Sequence, residues 1–344
     1  MLDGVRGVAI LQVLVWHYFA PLLDESGFRG ASLLGMTWTG VDLFFCLSGF
    51  LIGGIVIDQR KSSNFYQVFY ARRALRILPL YLLLVLGDVL LTRSLDGGWA
   101  YATFTQNFWW AAQGHWGPTG TVVTWSLAVE EQFYLILPIL IRLCPPRRLT
   151  LVLAGLICAA PALRGLAVAT YGNRFCAYLL FPCRMDALLI GVVAAWVIRQ
   201  PGLVRKLQSL RSAQTVLLLV LWCGFGSLLL GRYSMFSRVM QSVGYSWIAL
   251  TYGATLLCIV LRTEYTETST KWLPLFPSAG LGAYSIYLFH LPMLVILDHF
   301  YQSKLPTRLG AVALVFVLAT VSWRFIEMPL IEFGRRRFRY QRLQ

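Results

Sequence analysis

Charge is scarce in this sequence. Only 13% of its 344 residues are Asp, Glu, Lys or Arg, against roughly 25% in an ordinary soluble domain. A further 58% are hydrophobic, and the mean hydropathy is +0.64. Such a chain cannot cover a water-soluble globule with polar surface. It also has no long hydrophilic stretch, so no separate soluble domain is expected. Seven cysteines (Cys46, Cys144, Cys158, Cys176, Cys183, Cys223 and Cys258) stand singly, without CxxC spacing or clustering with His, and read as small apolar packing residues. No P-loop, dinucleotide fingerprint or metal-ligand spacing occurs, so no metal is expected.

What remains is apolar length. A membrane helix needs about 20 mostly apolar residues, and ten stretches qualify, near 5–23, 38–57, 77–92, 126–143, 149–168, 177–198, 214–231, 243–261, 281–300 and 308–326. The expected fold is therefore an all-α integral membrane protein of about ten transmembrane helices. The net charge of +15 carries no nucleic-acid signature, because the basic residues are spread over short connections and the tail. With a cytoplasmic N-terminus, nineteen Lys and Arg fall in inner segments and eight (Arg29, Arg93, Arg164, Arg174, Arg232, Arg238, Lys304, Arg308) in outer ones. That bias places both termini in the cytoplasm. The first span has no small-residue cleavage site after it and is expected to be retained as a helix.

Ionisable residues inside such spans are read as functional by default. Arg6 and His17 are eleven residues apart in VRGVAILQVLVWHYF, three helical turns plus roughly 20°, so they share one face at a separation of about 16 Å. By residue count, His17, Glu130 and Glu131, and Arg184 and Asp186 all fall roughly 7–14 Å below the outer surface. At one depth they can satisfy one another or form a reaction centre. Successive residues point about 100° apart, so one of Glu130 and Glu131 faces the shared interior, and either is open. Arg184 with Asp186 also reads as a purely structural ion pair. Near the inner surface, Arg72, Arg73 and Arg76 in FYARRALRILPLY form a cluster able to clamp phosphates, although the same residues serve as a positive-inside signal. His290, in AYSIYLFHLP, lies mid-membrane with Tyr284 and Tyr287 and reads equally as interior packing. Glu327, in WRFIEMP, is expected to pair with an arginine of the inner layer. Gly40, Gly49, Gly53 and Gly54 read as close helix packing. The aromatic stretch 99–120 reads as an interfacial segment that anchors the protein or docks an acceptor, and the basic end, 334–344, as a solvated tail held to anionic lipid.

In order and approximate spacing, RGVAILQVLVWH, GVDLFFCLSGFLIG, FYARRALRILPLY, WSLAVEEQFYLILP, FPCRMDALLIG, YSIYLFHLP and WRFIEMPL resemble the acyltransferase family 3 membrane proteins, over residues 2 to about 331. That family includes O-acetyltransferases of bacterial surface polysaccharides and peptidoglycan, and macrolide acyltransferases. The resemblance implies transfer of an acyl group, usually acetyl, from acyl-CoA on the cytoplasmic side to a hydroxyl of a carbohydrate, glycolipid or macrolide-like acceptor. It implies a multi-pass protein of the cell inner (cytoplasmic) membrane, with the lipid bilayer as partner and no nucleic acid. The family's Arg-x10-His motif falls on Arg6 and His17, its arginine motif on Arg72, Arg73 and Arg76, its Phe-Pro motif on Phe181, Pro182 and Arg184, and its Glu before Pro on Glu327. Leu75 stands where many members carry a further arginine. Some relatives append a soluble SGNH-type hydrolase domain; none is seen in this sequence, so the membrane part or another protein is expected to complete any extracellular transfer.

The expected organisation is an acyltransferase domain over 1–331 followed by a basic cytoplasmic tail, 332–344. His17 is expected to act as general base or transient acyl carrier, oriented by Glu130 or Glu131. Arg6 and the Arg72–Arg76 cluster are expected to hold the donor phosphates, with Arg184, Asp186, His290 and Glu327 in support. A multi-pass transporter or flippase with a buried His/Glu/Arg site is the alternative, which the lack of an evident inverted repeat disfavours.

Overall fold

The computed structural model describes residues 1–25, 34–92, 97–263, 280–301 and 304–341. Among these, nine helices are long and apolar enough to cross a membrane. The main helices are α1 (Leu2–Leu14), α2 (Gly40–Gln59), α3 (Phe65–Thr92), α4 (Thr124–Leu143), α5 (Pro146–Tyr171), α6 (Phe181–Val197), α7 (Arg211–Leu230), α8 (Tyr245–Thr263), α9 (Ala283–Phe300), α10 (Leu305–Ser322) and α11 (Met328–Arg337). The tenth expected span, 126–143, is α4. It is a 20-residue helix, but Glu130 and Glu131 interrupt its apolar run and it is not among the nine. Of the residues in the charge tally, Arg29, Arg93, Lys271 and Arg342 lie outside the described residues.

At the centre, α2 and α6 pack against each other. Their contact depends on glycine: a Cβ on Gly49 would lie 1.8 Å from the Leu188 carbonyl oxygen, and one on Gly191 2.0 Å from that of Cys46. Backbones this close leave dispersion contacts as the main attraction between helices in lipid. Gly40 and Gly53 likewise meet α1 and α6, whereas Gly54 faces the Arg199 guanidinium. Around this pair stand α1, α4, α5 and α8, with α9 against α1, α3 and α10.

Among the described residues, three π-helical turns interrupt otherwise regular rods: Val15–Phe19 after α1, Met240–Gly244 before α8, and Trp323–Glu327 between α10 and α11. Such turns break the regular carbonyl ladder and recur at functional positions. In two of them an arginine donates to a carbonyl of the turn, Arg308 to His17 at 3.1 Å and Arg164 to Gln241 at 2.8 Å.

The chain end is not a free solvated tail. The last rod continues beyond residue 331 through α11, which packs on α3. Beyond it the backbone pairs with the start of α3: Asn64 Nδ2 donates to the Arg339 carbonyl at 2.8 Å, and the Gln341 N–H donates to Asn64 Oδ1 at 3.0 Å. Tyr340 stacks on Phe65.

Candidate active site

Among the described residues, two fully buried ion pairs brace the bundle, and they are not the pair expected. Arg184 donates to Asp42 at 2.5 Å, whereas Asp186 accepts from Arg164 at 2.9 Å. Two residues apart on a helix, Arg184 and Asp186 point about 200° from each other, so each finds its partner on a different neighbour. Arg164, counted above as an outer-loop residue, is fully buried in α5. It also donates to the Gln241 and Cys183 carbonyls, both at 2.8 Å, and to Ser246 at 2.6 Å. Arg184 lies in an aromatic cage, 4.2 Å from the Tyr245 ring centre and 5.1 Å from that of Tyr178. Neither Asp42 nor Arg164 was singled out from sequence, although a carboxylate inside the apolar run GVDLFF is a signal that could have been used.

His17 sits in the π turn after α1. Its Nδ1 is 3.0 Å from the Val13 carbonyl oxygen and 3.3 Å from Nε2 of His290. Nδ1 of His290 is in turn 2.7 Å from the Tyr287 carbonyl oxygen. A carbonyl only accepts, so in the neutral pair His290 carries its proton on Nδ1 and accepts at Nε2. His17 then carries its proton on Nδ1, shared between Val13 and His290, and its Nε2 keeps a free lone pair. Tyr18 fixes the other helix by donating to the His290 carbonyl at 2.5 Å. His290 is thus the partner of His17, in place of the expected Glu130 or Glu131.

The two glutamates are elsewhere because α4 starts inside the bundle. Val123 and Thr124 are buried, and Ser126 already meets the Tyr287 hydroxyl at 2.5 Å. Counting residues from a supposed membrane surface therefore misplaces Glu130 and Glu131. Glu130 accepts from Tyr134 at 3.2 Å, and the Tyr134 hydroxyl also meets Ser48 at 2.7 Å. Glu131 is off the cavity wall, and its buried Oε1 has no hydrogen-bond partner among the described residues.

Glu130 lines a cavity of about 320 Å³ together with Arg6, Arg73, Arg76, Arg335, Ser48, Tyr134 and Tyr284. Four guanidiniums face one carboxylate there, and Arg6 has its own partner, Asp3, at 2.5 Å. Arg72 is absent from this wall. Its Nε and Nη2 donate to the Phe338 carbonyl at 3.0 and 2.6 Å, and its guanidinium lies over the Tyr340 ring. The cluster therefore divides: Arg73 and Arg76 face the cavity, and Arg72 holds the chain end. Leu75 packs against Gly334 of α11. Glu327 accepts a hydrogen bond from Ser285, and Arg76 of the inner layer acts on it electrostatically without a direct hydrogen bond among the described residues.

His17 lines a second cavity, of about 390 Å³, walled by Trp16, Trp38, Trp116, Trp125, Tyr178 and Phe236. Trp116, Gly117 and Thr119 bring the aromatic stretch 99–120 into this wall. Val41 and Tyr287 line both cavities. An arginine-lined space and a tryptophan-lined space thus share Val41 and Tyr287 in their walls, with the two histidines near Tyr287. Among the described residues no group of three or more His, Cys, Asp or Glu is placed to hold a metal ion.

A family model described as an acyltransferase domain matches residues 1–327. The chain belongs to this acyltransferase family. A transporter would use the same kind of buried charges, and it is the family match that tells against that alternative. Curated relatives include O-acetyltransferase OatA of Staphylococcus aureus (strain NCTC 8325 / PS 47), 26% identical over 371 residues, covering 98% of this chain and 58% of the relative. Another is the putative peptidoglycan O-acetyltransferase YrhL of Bacillus subtilis (strain 168), 26% identical over 366 residues, covering 98% of this chain and 55% of the relative. The chain thus spans a little over half the length of these relatives. No solved structure matches it.

Proposed function

We propose that the chain is a membrane O-acyltransferase that moves an acetyl group from acetyl-CoA, entering on the arginine side, to a hydroxyl of a carbohydrate held in the tryptophan-lined cavity. The observation that carries this reading is the meeting of the two cavities at Val41 and Tyr287, with His17 on the wall of the second. Four arginines suit the phosphates of the donor. Flat aromatic walls with few charges suit the apolar faces of sugar rings. The positive-inside bias makes the arginine side cytoplasmic, with the chain in the cytoplasmic membrane. Both relatives are named O-acetyltransferases, and the name of the second specifies peptidoglycan, which makes a cell-wall glycan the first acceptor to try.

In this reading the free lone pair on His17 Nε2 takes the proton of the acceptor hydroxyl as its oxygen attacks the thioester carbonyl. The carbon–sulfur bond then breaks, and the imidazolium returns the proton to the departing thiolate. His290 holds the His17 ring in the required tautomer, as a carboxylate does in a hydrolase triad. The protein's largest contribution is to bring both substrates to one point from opposite sides.

The test is release of free CoA from radiolabelled acetyl-CoA by protein in nanodiscs, with and without peptidoglycan fragments. Release that depends on acceptor and is lost in His17→Ala supports the reading. Label retained on wild-type protein without acceptor, and absent from His17→Ala, would shift the mechanism to a transient acyl-histidine. Wild-type protein that neither binds acetyl-CoA nor releases CoA overturns the reading.

A further inference from the structure

The arginine cavity contains a residue from beyond the matched domain. The family match ends at residue 327, and Arg335 lies eight residues later, in the last turn of α11. Its neighbour Arg336 is occupied by Glu332 at 3.4 Å. Arg335 instead joins Arg6, Arg73 and Arg76 around the cavity.

Two contacts hold it there. Gly334 is buried against α3, where a Cβ would sit 3.1 Å from Leu75 Cδ1, so its lack of a side chain allows α11 to lie close. Just past the helix, Arg72 grips the Phe338 carbonyl through two N–H groups and rests on the Tyr340 ring. A bidentate grip on a backbone oxygen fixes a position, and Arg72 has no place on the cavity wall from which to touch a ligand. With Arg6 paired to Asp3, three guanidiniums, Arg73, Arg76 and Arg335, face one carboxylate on that wall, an excess of positive charge that suits an anion. The common chemistry is a phosphate, either of an acyl-CoA or of a lipid headgroup.

We propose that residues 328–341 complete the donor site: Arg335 contacts a phosphate of the acyl-CoA, and Arg72 is a positioning residue that clasps the chain end so that Arg335 faces the cavity. This rests on the acetyl-CoA reading above. It assigns different tasks to adjacent arginines of one motif, Arg73 and Arg76 to the ligand and Arg72 to the chain end.

The test is steady-state CoA release by full-length protein in nanodiscs of phosphatidylcholine alone, and again with phosphatidylglycerol added. Losing one charge-assisted phosphate contact should raise KM for acetyl-CoA about tenfold in Arg335→Gln, with kcat within about twofold of wild type. Arg335→Lys should recover most of the loss. Arg336→Gln, a neighbouring loss of charge away from the cavity, should leave KM unchanged. Arg72→Ala should raise KM similarly, and the double variant Arg72→Ala with Arg335→Gln should be no worse than Arg335→Gln alone. Additive effects would overturn the positioning role. An unchanged KM in Arg335→Gln, an equal rise in Arg336→Gln, or an effect seen only with phosphatidylglycerol would overturn the donor contact, the last assigning Arg335 to lipid. If active wild type is matched by Arg335→Gln, this inference alone fails. If wild type does not use acetyl-CoA, both fail together.

Discussion

A histidine pair distributes its work unequally. His17, on a cavity wall, has a ring nitrogen without a partner among the described residues, whereas His290 is fully buried and both its ring nitrogens are engaged. Replacing His17 by Ala should lower kcat by about 10²–10⁴, the usual worth of a general base. Replacing His290 by Ala should lower it by about 10–100, as for other residues that orient a reactive group, with KM for acetyl-CoA unchanged in both. A rise in KM without a fall in kcat for His290→Ala would remove it from the mechanism. The buried ion pairs follow another rule. Asp42→Ala strands the Arg184 guanidinium, whose Nε and Nη1 already have no hydrogen-bond partner among the described residues, and should cost about 3–5 kcal/mol. Asp58→Ala, which breaks a half-exposed pair with Arg199, should cost no more than about 1 kcal/mol. Thermal unfolding in one detergent compares the two.

At the scale of elements, the contact of α2 with α6 is the joint on which both the Asp42–Arg184 pair and the cavity walls depend. Gly49→Val should abolish the folded, monodisperse protein, because its Cβ would overlap the Leu188 backbone, which cannot move aside. Gly155→Ala, in open space on α5, should be neutral or stabilising by up to about 1 kcal/mol. Size-exclusion profiles of the two variants report the difference. Close packing of α2 was legible in the sequence, since Gly49 and Gly53 stand at small-residue spacing within an apolar run, but its partner α6 and the matching Gly191 were not. Nor was the start of α4. The length of an apolar stretch says how far a helix can reach, but nothing in WSLAVEEQFYLILP says that its first turn is roofed by the helix Gln106–Gln113 and lies inside the bundle.

For the whole molecule, the feature with the most consequence is the partition between the cavities. Tyr287 forms part of it, and its hydroxyl is tied to Ser126 at 2.5 Å. Tyr287→Ala should join the two spaces and raise CoA release in the absence of acceptor, as water from the tryptophan side reaches the thioester. An unchanged acceptor-free rate would show that Tyr287 does not separate them. Opposite access is testable without chemistry. With the arginine side cytoplasmic, Thr119→Cys should react with an impermeant thiol reagent in intact cells and Arg335→Cys only after the membrane is opened, each compared with the parent chain to allow for its native cysteines.

The sequence by itself determined the all-helical, membrane-embedded architecture, because low charge and repeated apolar length leave a chain few alternatives in a bilayer. It could not determine where His17 points relative to Arg6: an unbroken α-helix would put them on one face, but the chain enters the π turn Val15–Phe19 before His17, and the two side chains line different cavities. Only the tertiary structure decided which groups meet. His290 reaches His17 from 273 residues away. Arg184 turns from Asp186 to Asp42, and Arg72 from its neighbours to the Phe338 carbonyl. Glu130 belongs with the arginines and not with His17. Within one helix, direction follows from residue number. Between helices it depends on how deep each one starts and how each is rotated, and those are set by packing against all the others.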